Sequence, residues 1–249
     1  MDDRIVTPLT LVDVGSSGGI APHWRAVKDL TVVEFEPDAR AADPVRDWPA
    51  KRVLLRTPLW ECAGEMDFYL TEKQQASSLF RPNRELFERY PKPDRVNVRE
   101  VKRVRVDTLM NQLNLAGVEW VDFVKLDAQG AELAILKGAE SFLRSSVVGL
   151  EIEVEFLPLY HDQPLFADVD AYVRSFGFEL FELRPTQWNY GATPSPSRGQ
   201  LAFADALYLR SGENLAARQR QSLIAIANLY GRADFAAYIA STTERNHET

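Results

Sequence analysis

Short apolar runs rich in β-branched residues alternate along the chain with stretches whose apolar residues recur at helical spacing. That alternation predicts strands and helices in turn, the pattern of a parallel sheet covered on both faces. "TLVDVG" (10–15) reads as a buried first strand, and Pro22 suits the first turn of a short helix continuing through "HWRAVKD". "LTVVEFEP" (30–37) reads as the second strand, stopped by Pro37, "RVLLRTPLW" (52–60) as the third and "EMDFYL" (65–70) as an added edge strand. Helical spacing over 106–117 is followed by the strand "VDFVKLD", the helix "GAELAILKGAESFLRS" and a strand over 147–156. An amphipathic helix (166–177), a strand (178–183) and a last strand (201–210) complete the pattern. The segment between those last strands, "RPTQWNYGATPSPSRGQ", predicts a long loop of a size that serves more often as a lid or binding loop than as a plain connection. Two helices broken at Gly231 follow.

Length and composition narrow this to one α/β domain: 249 residues with 45% apolar content can fill a single core. Cys62 is the one cysteine, so an internal disulfide is excluded and a reducing compartment is expected. The start, "MDDRIVTPLTLVDVG", is acidic where a secretory signal would be basic, and no run is long and apolar enough for a membrane span. A soluble, cytoplasmic protein is the expectation. The formal charge of −7 argues against a general nucleic-acid surface. One segment departs from it: residues 81–105 carry nine basic side chains against four acidic ones, read either as a solvated helix and strand face or as a steering patch for an anionic substrate.

The first chemical signal is "DVGSSGG" (13–19) followed by "EFEP" (34–37). A strand ending in a glycine turn lets backbone approach a ligand, and an acid closing the next strand can accept hydrogen bonds from ribose hydroxyls. Glu36 lies 21 positions after Gly15, and the Gly15, Gly18, Gly19 spacing is not the dinucleotide fingerprint. Asp13 inside the apolar strand favours a cationic ligand over a pyrophosphate, which points to S-adenosylmethionine with Asp13, Gly15, Ser16, Gly18, Glu36 and Pro37 around it. The plainer reading makes the two acids turn-formers and the glycines a tight corner.

The second signal is "VKLDAQGAE". A strand ending in Asp127 places that carboxylate at the carboxyl edge of the sheet, with Lys125 on the same side of the strand. Asp127 also suits a helix N-cap and Glu132 the first helical turn, but capping leaves Lys125 unexplained.

Taken with "VDVGSSGG", "VVEFEPD", "SSLFRPN", "LEIEVEFLPLY" and "GFELFEL", this stretch resembles the FkbM-type S-adenosylmethionine-dependent methyltransferases over roughly residues 10–210. Gln129 stands where many members carry an acid. The resemblance implies a Rossmann-like class I methyltransferase fold with a seven-stranded, mostly parallel sheet and an antiparallel last strand, spanning 1–212, with a C-terminal helical extension over 213–249. It also implies O-methylation of a hydroxyl on a sugar, glycoside or secondary metabolite.

For that chemistry Asp127 is the first candidate for base or hydroxyl orienter, with Lys125 beside it and His161 as the second candidate. Glu132, Glu151 and Glu153 are candidates to hold acceptor hydroxyls, and Trp188 and Tyr190 to stack on a sugar ring. Glu151 and Glu153 could with Asp127 hold a divalent cation, but three carboxylates without a loop motif are poor evidence for a metal, and none is expected. The expected partner is a small-molecule or glycan acceptor, neither nucleic acid nor membrane, and the stripe "LIAIANLYGRADFAAYIA" suits a homo-oligomer or partner interface. Two alternatives remain: a catalytically silent partner-binding module, and a nucleotide-dependent oxidoreductase, which the Asp13 turn disfavours.

Overall fold

The structure, a computed structural model, describes residues 5–41, 48–49, 51–191 and 196–245. In chain order its elements are β1 (Leu9–Val14), β2 (Leu30–Phe35), β3 (Lys51–Leu55), β4 (Gly64–Thr71), α1 (Arg84–Phe87), β5 (Val98–Val106) and α2 (Leu109–Leu115). Then come β6 (Phe123–Leu126), α3 (Glu132–Lys137), α4 (Glu140–Ser145), β7 (Gly149–Glu155), α5 (Phe166–Arg174), β8 (Phe178–Trp188), β9 (Gln200–Arg210), α6 (Ala217–Leu229) and α7 (Ala233–Arg245).

Seven strands form one sheet in the order β3-β2-β1-β6-β7-β9-β8. The first five are parallel, and β9 runs antiparallel between β7 and β8. Alternation along the strands divides the core in two. Val12, Val33, Leu126, Ile152 and Tyr208 pack under α2 to α5, whereas Leu11, Val32, Phe123 and Leu207 face α6, α7 and Trp24. Strand order reverses between β1 and β6, so a crevice opens above their carboxyl ends, where ligands of open α/β sheets bind. This is a Rossmann-like α/β architecture.

Several elements differ from the sequence reading. The segment after Pro22 forms only a 3₁₀ turn, Pro22–Ala26. β3 ends at Leu55, before "RTPLW". β4 is not an edge of the main sheet but pairs antiparallel with β5 in a separate two-stranded ribbon, with Arg103 opposite Asp67 and bonded to it at 3.1 Å. The stretch 130–145 divides at Gly138, because a Cβ there would lie 2.6 Å from the Trp60 carbonyl oxygen, and the close approach breaks the helix into α3 and α4. β8 continues to Trp188 through Pro185: it is the edge strand, and a proline there sacrifices no interior ladder bond. The expected loop is thus shorter, and its residues 192–195 lie outside the described set.

The apolar stripe of the C-terminal pair is turned onto the chain's own sheet, with Leu223, Ile226, Ala227, Ala236 and Ile239 buried there. Among the described residues no helix is long and apolar enough to cross a membrane.

Candidate active site

The corner between β1 and β6 is set by Gly15. Its φ of 79° and ψ of 49° are left-handed, its N–H donates to the Phe35 carbonyl at 2.9 Å, and the Asp127 N–H donates to the Val14 carbonyl at 3.0 Å. The strand ends are drawn so close that a Cβ on Gly15 would fall 1.9 Å from the Asp127 carbonyl oxygen. Only glycine meets both conditions. Above this corner lies a cleft of about 400 Å³ whose wall includes Gly15, Gly18, Glu36, Pro37, Asp127 and Glu153.

Glu36 closes β2 at the cleft. Its Oε1 accepts the Asp38 N–H at 2.9 Å, while its other carboxylate oxygen has no hydrogen bond among the described residues. Burial pushes its pKa up, only partly offset by that amide. Asp38 is held by Arg40 at 2.6 Å.

Asp127 is not the N-cap of α3, a position occupied by Ala131. Its Oδ1 accepts from Gln129 Nε2 at 2.7 Å. The same amide donates to Glu153 Oε1 at 2.9 Å, and Gln129 Oε1 accepts from the Tyr160 hydroxyl at 2.9 Å. One amide thus ties the ends of β6 and β7 to the Tyr160 loop, with Gln129 itself at φ 54°. A charged acid at this position would face both Asp127 and Glu153; the neutral amide donates to both.

Lys125 lies beneath. Its Nζ is 3.3 Å from Asp13 Oδ1 and 4.0 Å from Asp127 Oδ2. Burial pulls the ammonium pKa down, but attraction to Asp13, Asp127 and Glu151 outweighs it and leaves it above the ordinary value. Asp13 shares this one cation with other acids, and burial pushes its carboxyl up to about 6. Asp13 and Lys125 are off the cleft wall because alternation turns them to the opposite face from Val12 and Val14. The lysine that capping could not account for neutralises Asp13.

The remaining candidates divide. Trp188 lines the cleft, as do Gly18 and Pro37. Ser16 is buried in the turn while Ser17 reaches the wall. Glu132 is buried and accepts the Ala128 N–H at 2.7 Å, so it stabilises the loop backbone instead of meeting an acceptor. Glu151 pairs with Arg184 at 2.8 Å, away from the cleft wall. His161 is exposed and off the wall, its backbone N–H bonded to the Arg81 carbonyl. Tyr190 is exposed, its hydroxyl donating to Gln200.

Three contributors were not singled out from sequence. Tyr160, next to His161, lines the cleft, with its phenol pKa raised well above the ordinary value by burial and by Glu155 and Glu153. Arg95 and Lys73 also line it. The signal for Arg95 lay in the basic segment, part of which serves elsewhere: Arg84 pairs with Asp94 and Glu88, Arg99 with Glu72, and Arg103 with Asp67 and Glu65; Lys73 lies outside that segment. Beneath the cleft, burial and mutual repulsion push Glu153 and Glu155 well up and Glu132 to about 7. Among the described residues no group of three or more His, Cys, Asp or Glu is arranged to hold a metal ion.

Strand order, switch-point crevice and glycine corner define a Rossmann-like α/β domain with a ligand cleft at the carboxyl edge of its sheet. The profile of the methyltransferase FkbM domain matches residues 23–180. The chain belongs to the FkbM methyltransferase family. Among solved structures, it is similar to methyltransferase FkbM from Methylobacillus flagellatus KT (17% identity, TM-score 0.45, covering 81% of this chain and 44% of that one). It is also similar to a SAM-dependent methyltransferase from Anabaena variabilis ATCC 29413 (10% identity, TM-score 0.37, covering 81% and 77%). The chain thus spans less than half the length of the Methylobacillus structure. No curated protein matches it.

Proposed function

We propose that the chain is an S-adenosylmethionine-dependent O-methyltransferase acting on a hydroxyl of a sugar, glycoside or secondary metabolite. The observation that carries this is the pairing, across one cleft, of the Glu36 carboxylate with the Gly15–Gly18 turn on one side and Asp127 on the other. The residues fit the cofactor: Glu36 keeps one oxygen without a partner for a ribose hydroxyl, and a Cβ at Gly18 or Gly19 would meet nothing within 4 Å, leaving room beside the turn. Bound S-adenosylmethionine supplies an electrophilic methyl group on a sulfonium.

What the protein must add is alignment, exclusion of water and an acceptor for the hydroxyl proton. Asp127 suits the last role. Gln129 holds its Oδ1, and Oδ2, 4.0 Å from the Lys125 ammonium, is the oxygen through which it would take that proton. Trp188, on the cleft wall, offers an aromatic face suited to the apolar side of a sugar ring.

The domain reading follows the same proposal, with residues 1–212 as the catalytic unit and 213–249 as an extension against its sheet. Calorimetric titration tests the cofactor assignment. Wild type should bind S-adenosylmethionine and not NAD, and Glu36→Ala should weaken binding by more than about 1.4 kcal/mol, or tenfold. Unchanged affinity in a folded Glu36→Ala variant would remove the assignment.

A further inference from the structure

We infer that the wall of the cleft recognises an acceptor bearing a carboxylate or phosphate group, through Arg95 together with Lys73. The identity of the bound molecule as acceptor rests on the methyltransferase reading above; the anion site does not.

Arg95 sits in the 3₁₀ turn Pro93–Val96. Its guanidinium carbon lies 4.4 Å from the centre of the Trp188 ring and 5.1 Å from that of Phe87. The Lys73 N–H donates to the Arg95 carbonyl at 2.8 Å, so two cationic residues from distant segments border the same cleft. Neither has a carboxylate partner among the described residues, and no Arg95 side-chain N–H donates a hydrogen bond there. The nearby Arg84 and Arg99, by contrast, are tied to acids. Burial pulls the Arg95 pKa down, and only the Tyr160 phenol acts against it.

A half-buried guanidinium among aromatic rings leaves five donors without protein acceptors. The rings hold its plane while its N–H edge stays available, the geometry that meets a carboxylate or phosphate with paired hydrogen bonds. None of the acids on the cleft wall bonds Arg95 among the described residues: Asp38 is held by Arg40, Asp127 by Gln129 and Lys125, and Glu153 by Gln129, while Glu36 accepts the Asp38 N–H. On a chain of net charge −7, Arg95 and Lys73 place two cations on the wall of the cleft.

The test follows the Arg95 Nε–H resonance of the full chain by ¹⁵N NMR, assigned by its loss in Arg95→Met. Inorganic phosphate and sodium acetate are titrated separately, with sodium chloride at matched ionic strength as control. A saturable shift with phosphate or acetate and none with chloride supports the site, and the stronger of the two names the group. Shifts that are linear and equal for all three salts overturn it. If Arg95→Met does not fold, Arg95→Lys serves: loss of the planar donors should weaken anion binding about tenfold, and undiminished binding would overturn the role of Arg95. A parallel titration with S-adenosylhomocysteine keeps the readings apart, since its failure to bind wild type would remove the cofactor assignment and leave the anion result standing.

Discussion

Replacing Gly15 by alanine tests the corner on which the whole site depends. The added methyl carbon would start 1.9 Å from the Asp127 carbonyl oxygen, about 1 Å inside any contact that real Cβ atoms tolerate, and the opposing atom is backbone in a strand end. The chain must also keep a left-handed φ of 79°, which costs a non-glycine residue about 1–2 kcal/mol. Relief requires β1 and β6 to part, which strains the Gly15 to Phe35 and Asp127 to Val14 hydrogen bonds, each worth about 1 kcal/mol. Together these give a loss of about 2–4 kcal/mol. For a domain of this size that corresponds to a fall in Tm of about 5–15 °C. Gly18→Ala is the matched control: a Cβ there meets nothing within 4 Å, so stability should change by less than about 0.5 kcal/mol. Urea and thermal unfolding of both variants without ligand, followed by titration with S-adenosylmethionine, separate the effects. If Gly15→Ala melts within a degree of Gly18→Ala, the close approach of the two strands is wrong and the argument with it.

Two further outcomes follow from the same geometry. Asp127→Asn retains an oxygen for the Gln129 amide and leaves Asp13 its lysine, so Tm and cofactor affinity should stay near wild type while turnover falls at least about tenfold; wild-type turnover would assign Asp127 to loop structure alone. Glu132 is raised to about 7 from 4.5, chiefly by burial, so the fold holds its proton where the unfolded chain has lost it. Its contribution relative to Glu132→Gln is complete below pH 4.5 and is lost as pH rises through 7. Urea unfolding of the two proteins at pH 4.5, 6 and 7.5 should therefore show the wild type losing ground with pH, and parallel profiles would contradict the assigned burial.

Much of this was legible before any coordinates because it is local. Apolar runs of period two and stripes of period 3.6 are set by backbone geometry, so β1, β2, β6, β7, β9 and the pair α6 and α7 fell within a few residues of where the pattern put them. Gly15, Glu36 and Asp127 were readable for a related reason. A strand that ends in a glycine or an acid delivers that residue to the carboxyl edge whatever surrounds it.

Pairing was not local. β4 alternates like any edge strand, and only the acids facing Arg99 and Arg103 across the ribbon assign it to β5 instead of to the main sheet. Residues 184–188 read as the start of a loop, and they belong to β8 because that strand is an edge, where Pro185 is tolerated.

The division is sharpest among the charged residues. Sequence places Asp13, Lys125, Glu132, Glu151 and Glu153 in strands and a first helical turn, all candidate ligand contacts, because side-chain type and spacing carry no record of which neighbour each one meets. Folding pairs Asp13 with Lys125, Glu151 with Arg184 and Glu132 with its own loop backbone, which leaves Asp127, Glu153 and Glu36 at the cleft. It also brings Arg95 from 93 positions away onto Trp188. Burial compels that sorting: a charge removed from water must find a partner or a proton, and the chain can offer one only where distant segments have been brought together.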